Sequence, residues 1–166
     1  MALTFDILRM YRTPRAVVRG LLAQGQREDR ALMFIMLFGV LNFVAQLPRV
    51  QRAAYLDPEM VFQQEMGGVL FASIFVVPLL AYGFAALLHL GLRAFRRPST
   101  WFTARLVLFW SLLSVAPLSL IQGMLQGFNG VGGVGAIFGL GVAAVFLWFL
   151  IAGFREAALE TAGTRI

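Results

Sequence analysis

Four stretches of the sequence are apolar enough and long enough to cross a lipid bilayer as helices. They run over about 31–47, 68–95, 102–125 and 134–154, and Pro48 is expected to end the first. Because a helix rises about 1.5 Å per residue, roughly 20 apolar residues span the hydrocarbon layer. The sequence therefore predicts an all-α, polytopic helical membrane bundle of four transmembrane helices, in a single integral membrane domain over residues 1–166.

The composition excludes a soluble domain. Hydrophobic residues make up 60% of the chain and charged residues 13%, whereas soluble chains average about 45–50% and about 25%. The mean hydropathy is +0.80. A soluble fold of this size has too little polar surface to cover so many apolar side chains. The sequence has no cysteine, which excludes disulfides and thiolate chemistry.

The arginines predict the orientation of the bundle. All 14 basic residues are arginine, and only Arg49 and Arg52 lie between the first two apolar stretches, on the side opposite the rest. Positively charged residues collect on the cytoplasmic side of membrane proteins. Both termini are therefore predicted to be cytoplasmic, in a multi-pass protein of a bacterial inner membrane. Because the arginines cluster at the ends of apolar stretches, anionic membrane lipid is the expected partner and nucleic acid is not.

Residues 1–30 are predicted to form a cytoplasmic or interfacial amphipathic segment. Thr13 and Pro14 are typical of a helix start, with Thr13 as the N-cap. In the turns that follow, Val17, Val18, Leu21 and Leu22 share one face. That face lies in the membrane surface, packs on the cytoplasmic end of the bundle, or does both. The arginines expected to contact lipid headgroups are Arg9, Arg12, Arg15, Arg19, Arg93, Arg96, Arg97 and Arg105.

Two local patterns predict helix ends and helix packing. Asp57-Pro58-Glu59 is typical of a second helix start, with a short helix over 59–66 that extends the second span. Gly135, Gly139 and Ala143 form a stripe of small residues on the fourth span. Such a stripe lets helix backbones approach closely. It is interpreted as packing within the protomer, against the first or second span, or as a face for a homo-oligomer or another membrane protein.

No catalytic, metal or cofactor site is predicted. His89 is the single histidine, and no carboxylate lies near the middle of an apolar stretch. A metal site needs several ligands that converge. Nucleotide-binding loops and nucleophile–base sets are also missing. The chain is therefore predicted not to be an enzyme.

The arrangement of several segments resembles bacterial members of the Yip family of Ypt-interacting membrane proteins. The segments that carry the resemblance are Thr13-Pro14-Arg15 with Val17-Val18 and Leu21-Leu22, the turn 96–102, Pro117, Trp148 and Phe154-Arg155-Glu156-Ala157. The resemblance implies a small helical membrane protein without catalytic activity. Eukaryotic members usually have five spans and act in vesicle traffic through small GTPases. This chain has four evident spans and no Asp-Leu-Tyr-Gly-Pro-like motif, so GTPase binding is not expected.

Two functions follow as hypotheses. The first is a non-catalytic membrane protein that acts through helix–helix and lipid contacts, as a scaffold or an accessory subunit of a membrane complex. The alternative is a permease or scramblase that handles a lipid or a small solute, with Pro78 and Pro117 as breaks in its helices.

Overall fold

A computed structural model describes residues 3–57, 59, 61–94, 100–130 and 132–163. The described residues are almost entirely helical and include no strand, which confirms the all-α prediction. Two short helices open the chain, α1 (Leu3–Met10) and α2 (Pro14–Leu22). They are followed by α3 (Glu28–Leu56), α4 (Phe62–Phe71), a π-helical turn (Ala72–Val76), α5 (Val77–Ala94), α6 (Trp101–Asn129) and α7 (Val134–Gly163).

Four helical segments within these residues are long and apolar enough to span a membrane. They are α3, the continuous segment Phe62–Ala94, α6 and the part of α7 up to Leu159. The helix α6 lies at the centre, because 61% of its most apolar window is buried inside the protein, against 17–33% for the others. The remaining spans surround α6 and leave much of their apolar surface for lipid.

The helices α3 and α6 run parallel. Glu28 and Arg105, which pair at one end, are 77 residues apart in the sequence. At the other end, the Arg52 side chain donates a hydrogen bond to the Phe128 carbonyl, and these residues are 76 positions apart. The nearly equal separations at the two ends show that the helices run in the same direction. Close approach of the two helices depends on glycine, because a methyl group added at Gly127 would lie 2.6 Å from the Pro48 side chain.

The helices α5 and α7 run antiparallel to α6. On α5, Tyr82 packs on Phe109 and His89 packs on Trp101. On α7, Gly139 faces Gln122, whereas Gly153 faces Val107. Consequently α3 and α6 begin, and α5 and α7 end, at one end of the bundle. We call this the arginine-rich end and the other the opposite end.

Pro48 does not end the first spanning helix as predicted, because α3 continues to Leu56. Proline is tolerated within membrane helices where neighbouring groups take up the freed backbone, and here Pro48 packs on Gly127. Pro78 is preceded by the π-helical turn Ala72–Val76. Proline has no backbone N–H, so Pro78 cannot donate the hydrogen bond that a regular α-helix would form to the preceding turn. The π-helical turn lies at this position.

The predicted start of the next helix at Asp57 is also wrong. That helix begins at Phe62, and Glu65 rather than Glu59 lies in its first turn. The Asp57 side chain instead accepts a hydrogen bond of 3.0 Å from the backbone N–H of Glu59, which makes a turn between the helices. Pro58 lies outside the described residues.

Candidate functional site: the N-terminal hairpin and the arginine-rich end

The helices α1 and α2 form a hairpin that packs along the bundle. The Tyr11 hydroxyl, at its tip, donates a hydrogen bond of 2.8 Å to the Ser114 carbonyl, and the Tyr11 ring meets the edge of Phe149 at 5.1 Å. Ser114 lies about 20 Å along α6 from Trp101, at the rise of an α-helix, close to the middle of that helix. The tip of the hairpin therefore reaches the middle of the bundle.

The apolar face predicted for α2 is buried, as expected for packing on the bundle. Val17, Val18 and Leu21 are buried, Leu22 is partly buried, and Val18 lies beside Gly153 of α7. Pro14 begins α2 as predicted, but the Thr13 side chain does not cap it; its hydroxyl donates a 3.4 Å hydrogen bond to the Arg9 carbonyl. Of the two placements considered for this face, the structure shows the packed one.

An ion pair joins the hairpin to the last helix. The Arg19 Nε donates a 2.6 Å hydrogen bond to Glu156 Oε1, and a terminal guanidinium nitrogen lies 2.5 Å from the same oxygen. The Arg19 side chain is 63% exposed, whereas the Glu156 side chain is 3% exposed. Burial of a carboxylate without a charged partner is costly, and the contact with Arg19 offsets that cost. Sequence reasoning missed this contact, because no sequence spacing shows that the end of α7 faces α2.

The eight arginines predicted to contact lipid differ in their surroundings. Arg19 and Arg105 pair with acids, Arg105 with Glu28 at 2.5 Å. Arg96 and Arg97 lie outside the described residues. The remaining four are exposed and form no ion pair with a described residue: Arg9, Arg12, Arg15 and Arg93.

The exposed arginines of the hairpin share its outer side. Arg9, Arg12 and Arg15 lie near its tip, and buried Ile7, Met10 and Pro14 alternate with them. The arginines are thus exposed while the buried apolar side chains hold the hairpin in place.

His89 is packed rather than placed to bind a metal. Its side chain is buried, and its ring lies 4.3 Å from the ring of Trp101. Within the described residues, no group of three histidine, cysteine or acidic side chains could hold a metal ion.

A cavity of about 470 Å³ lies between the hairpin and α3 at the arginine-rich end. Its polar wall includes Asp6, Gln24 and Arg30, and its apolar wall includes Phe34 and Trp110. Trp110 is buried, and its Nε1 has no hydrogen-bond partner among the described residues. The sequence alone does not reveal this cavity, because it forms only when the hairpin docks beside α3.

A polar groove lies between α3 and α6 toward the opposite end. It has a volume of about 340 Å³, and neither Gln122 nor Gln126 forms a side-chain hydrogen bond with a described residue. The polar residues of the groove follow helical spacing on both helices, a signal visible in the sequence: Asn42, Gln46, Arg49, Ser119, Gln122 and Gln126. Unpaired amides beside lipid are costly, so the amide groups of this groove favour water or a polar ligand over lipid chains.

The small-residue stripe of α7 packs partly within the protomer. Gly135 and Gly139 face Gln126 and Gln122 of α6, rather than the first or second span as predicted. Ala143 is exposed and lies off this contact. Of the three small residues, only Ala143 is therefore left to contact a helix of another protomer or protein.

The fold and these surfaces define a multi-pass helical membrane protein. Comparison with models of protein families, with characterised proteins and with solved structures finds no match for this chain. The resemblance to the Yip family stays a prediction.

Proposed function

We propose that this chain is a non-enzymatic membrane protein that acts through lipid and helix contacts, and that its N-terminal hairpin binds anionic phospholipid. One observation carries the proposal: Arg9, Arg12 and Arg15 are exposed without an ion pair to a described residue, while the other side of the hairpin is buried on the bundle. In this proposal the arginine-rich end faces the cytoplasm of a bacterial cell.

Guanidinium groups suit this role for two reasons. They bind phosphate through two parallel hydrogen bonds and remain charged in every physiological condition. An arginine near an anionic membrane surface contributes about 1 kcal/mol to binding. The hairpin tip reaches the middle of the bundle, where an unpaired guanidinium group beside lipid is costly. Lipid phosphate drawn toward the hairpin would pair with these groups and offset that cost.

We also propose that the bundle serves as a scaffold or accessory subunit in a membrane complex. The spans Phe62–Ala94 and Val134–Leu159 have only 22% and 17% of their most apolar windows buried inside the protein. These faces contact lipid in an isolated chain, and they are long enough to accept the helices of another membrane protein.

The test of the lipid proposal is lipid retention. The full chain is extracted in mild detergent, titrated with phosphatidylglycerol and analysed by native mass spectrometry. The triple variant Arg9→Gln, Arg12→Gln, Arg15→Gln is expected to retain several-fold less anionic lipid. Arg155→Gln, an exposed arginine on α7, is the matched control and is expected to behave as the original chain. Equal retention by the triple variant and the original chain would reject the proposal.

A second candidate function is movement of a small solute or lipid. It is favoured by the cavity and the groove, which lie toward opposite ends and are separated by buried residues such as Leu113 and Phe38. Reconstituted vesicles test it directly. Lipid or solute exchange no faster than in empty vesicles would exclude this function.

A further inference from the structure

We propose that the cavity between the hairpin and α3 binds one zwitterionic phospholipid headgroup that carries a primary amine, such as phosphoethanolamine. This ligand differs from the anionic lipid proposed above, which contacts the outer side of the hairpin. The inference needs the chain to be in a membrane, but it does not depend on the roles of Arg9, Arg12 and Arg15.

The walls of the cavity carry one positive and one negative group. Arg30, from α3, and Asp6, from α1, are both half-buried, and neither forms an ion pair with a described residue. They do not pair with each other across the cavity. Two opposite and separate charges, one on the hairpin and one on α3, are complementary to a ligand that has a phosphate and an ammonium group.

The polar groups between and beside these charges fit the same ligand. The Gln24 amide nitrogen donates a hydrogen bond of 2.8 Å to the Gly20 carbonyl, which leaves its amide oxygen as an acceptor for an ammonium group. The indole N–H of Trp110, on the apolar wall, lacks an acceptor.

The depth of the cavity matches the region of a lipid headgroup. Arg30 lies half a turn beyond Glu28, whose partner Arg105 marks the arginine-rich end of α6. Trp110 lies five residues further along α6 than Arg105, or about 7–8 Å deeper along the helix. Arg30 is therefore placed at the level of the lipid phosphate, and Trp110 at the level where acyl chains begin.

The size of the cavity also fits. About 470 Å³ falls within the usual range of small-molecule sites, roughly 300–1,000 Å³. The apolar side chains Leu21, Met33 and Phe34 on its wall suit the glycerol and the first methylene groups of the chains. A wholly polar solute would leave these groups without a partner.

The experiment compares retention of three phospholipids by the full chain in detergent, using native mass spectrometry. Phosphatidylethanolamine is expected to be retained about tenfold more than phosphatidylcholine, whose quaternary ammonium cannot donate hydrogen bonds to Asp6. Phosphatidylglycerol, which has no ammonium group, is expected to be weaker at this site.

Three variants test the assignment of groups. Arg30→Gln is expected to lower phosphatidylethanolamine retention about tenfold, and Asp6→Asn to remove the preference over phosphatidylcholine. Arg155→Gln is the matched control and is expected to change neither. Equal retention of phosphatidylethanolamine and phosphatidylcholine, or an unchanged preference in Asp6→Asn, would overturn the proposal.

Two further measurements separate the alternatives. Soluble glycerophosphoethanolamine, used as a competitor, is expected to displace little lipid; full displacement would show a site for soluble phosphate esters and overturn the assignment to lipid. The effect of Arg9→Gln, Arg12→Gln, Arg15→Gln on phosphatidylglycerol retention is measured in parallel. If the triple variant retains phosphatidylglycerol normally while phosphatidylethanolamine is still preferred, only the proposed function is rejected. If the triple variant loses phosphatidylglycerol but phosphatidylethanolamine is not preferred, only this inference is rejected.

Discussion

Arg19 of α2 donates a 2.6 Å hydrogen bond to the buried carboxylate of Glu156 in α7, across 137 positions of sequence. This contact joins the first part of the chain to the last. It fixes the N-terminal hairpin against the bundle on the side where α2 meets α7, and with it the cavity that the hairpin encloses with α3. The stability of the hairpin is therefore expected to depend on this pair.

We expect Arg19→Gln to destabilise the protein more than Glu156→Gln. Loss of Arg19 leaves a buried charge without its partner, a change that costs about 3–5 kcal/mol when both groups are buried. Because Arg19 is 63% exposed, we expect about 1–2 kcal/mol. Thermal unfolding in detergent measures the difference. Limited trypsin digestion is expected to release the hairpin faster in Arg19→Gln, with Arg155→Gln as the control. Equal release of the hairpin from Arg19→Gln and from Arg155→Gln would show that the ion pair does not hold the hairpin on the bundle.

The close packing of α3 on α6 predicts that Gly123→Ala is strongly destabilising. A methyl group at Gly123 would collide with the Ala45 backbone, whereas one at Gly141 would meet nothing within 4 Å. Overpacking against backbone costs about 1–3 kcal/mol or more. We expect Gly123→Ala to lower the unfolding temperature in detergent and Gly141→Ala to leave it unchanged. A small effect in both would show that the two helices do not approach as closely as described.

The hydrogen bond between Tyr11 and Ser114 predicts a dependence of stability on alkaline pH. Burial raises the pKa of the Tyr11 hydroxyl above its usual 10.0. The hydroxyl of the unfolded chain therefore ionises first, and the stability due to this group is present below about pH 10 and lost as pH rises further. Tyr11→Phe is expected to lose about 1 kcal/mol at neutral pH. It is also expected to show a weaker alkaline loss than the original chain. Identical alkaline profiles would show that Tyr11 is not the group responsible.

The parallel arrangement of α3 and α6 predicts that both ends of the chain lie on one side of the membrane. Because the sequence has no cysteine, single cysteines can be placed at the exposed positions Thr4, Asn129 and Leu159. In intact cells, an impermeant maleimide is expected to label Asn129→Cys alone, and the other two only after permeabilisation. Labelling of Thr4→Cys and Leu159→Cys from opposite sides would contradict the arrangement. Labelling of both from outside would reverse the proposed orientation.

The sequence by itself determined the class of this protein and the number of its spans. The length and hydropathy of an apolar stretch do not depend on its neighbours, so the sequence predicted the four helices that the structure shows to be long and apolar enough to span a membrane. It also predicted the buried face of α2, because Val17, Val18 and Leu21 recur at helical spacing. The end of α3 was predicted wrongly, since the close packing of Pro48 on Gly127 is a tertiary contact.

Only the tertiary structure decided which helices meet. In a membrane, every spanning helix is apolar on all sides, so hydrophobic periodicity does not distinguish a face toward lipid from a face toward another helix. The central position of α6, the burial of Glu156 and the cavity with Asp6 and Arg30 all depend on such contacts. They arise from packing between segments far apart in sequence, and local sequence patterns carry no signal for them.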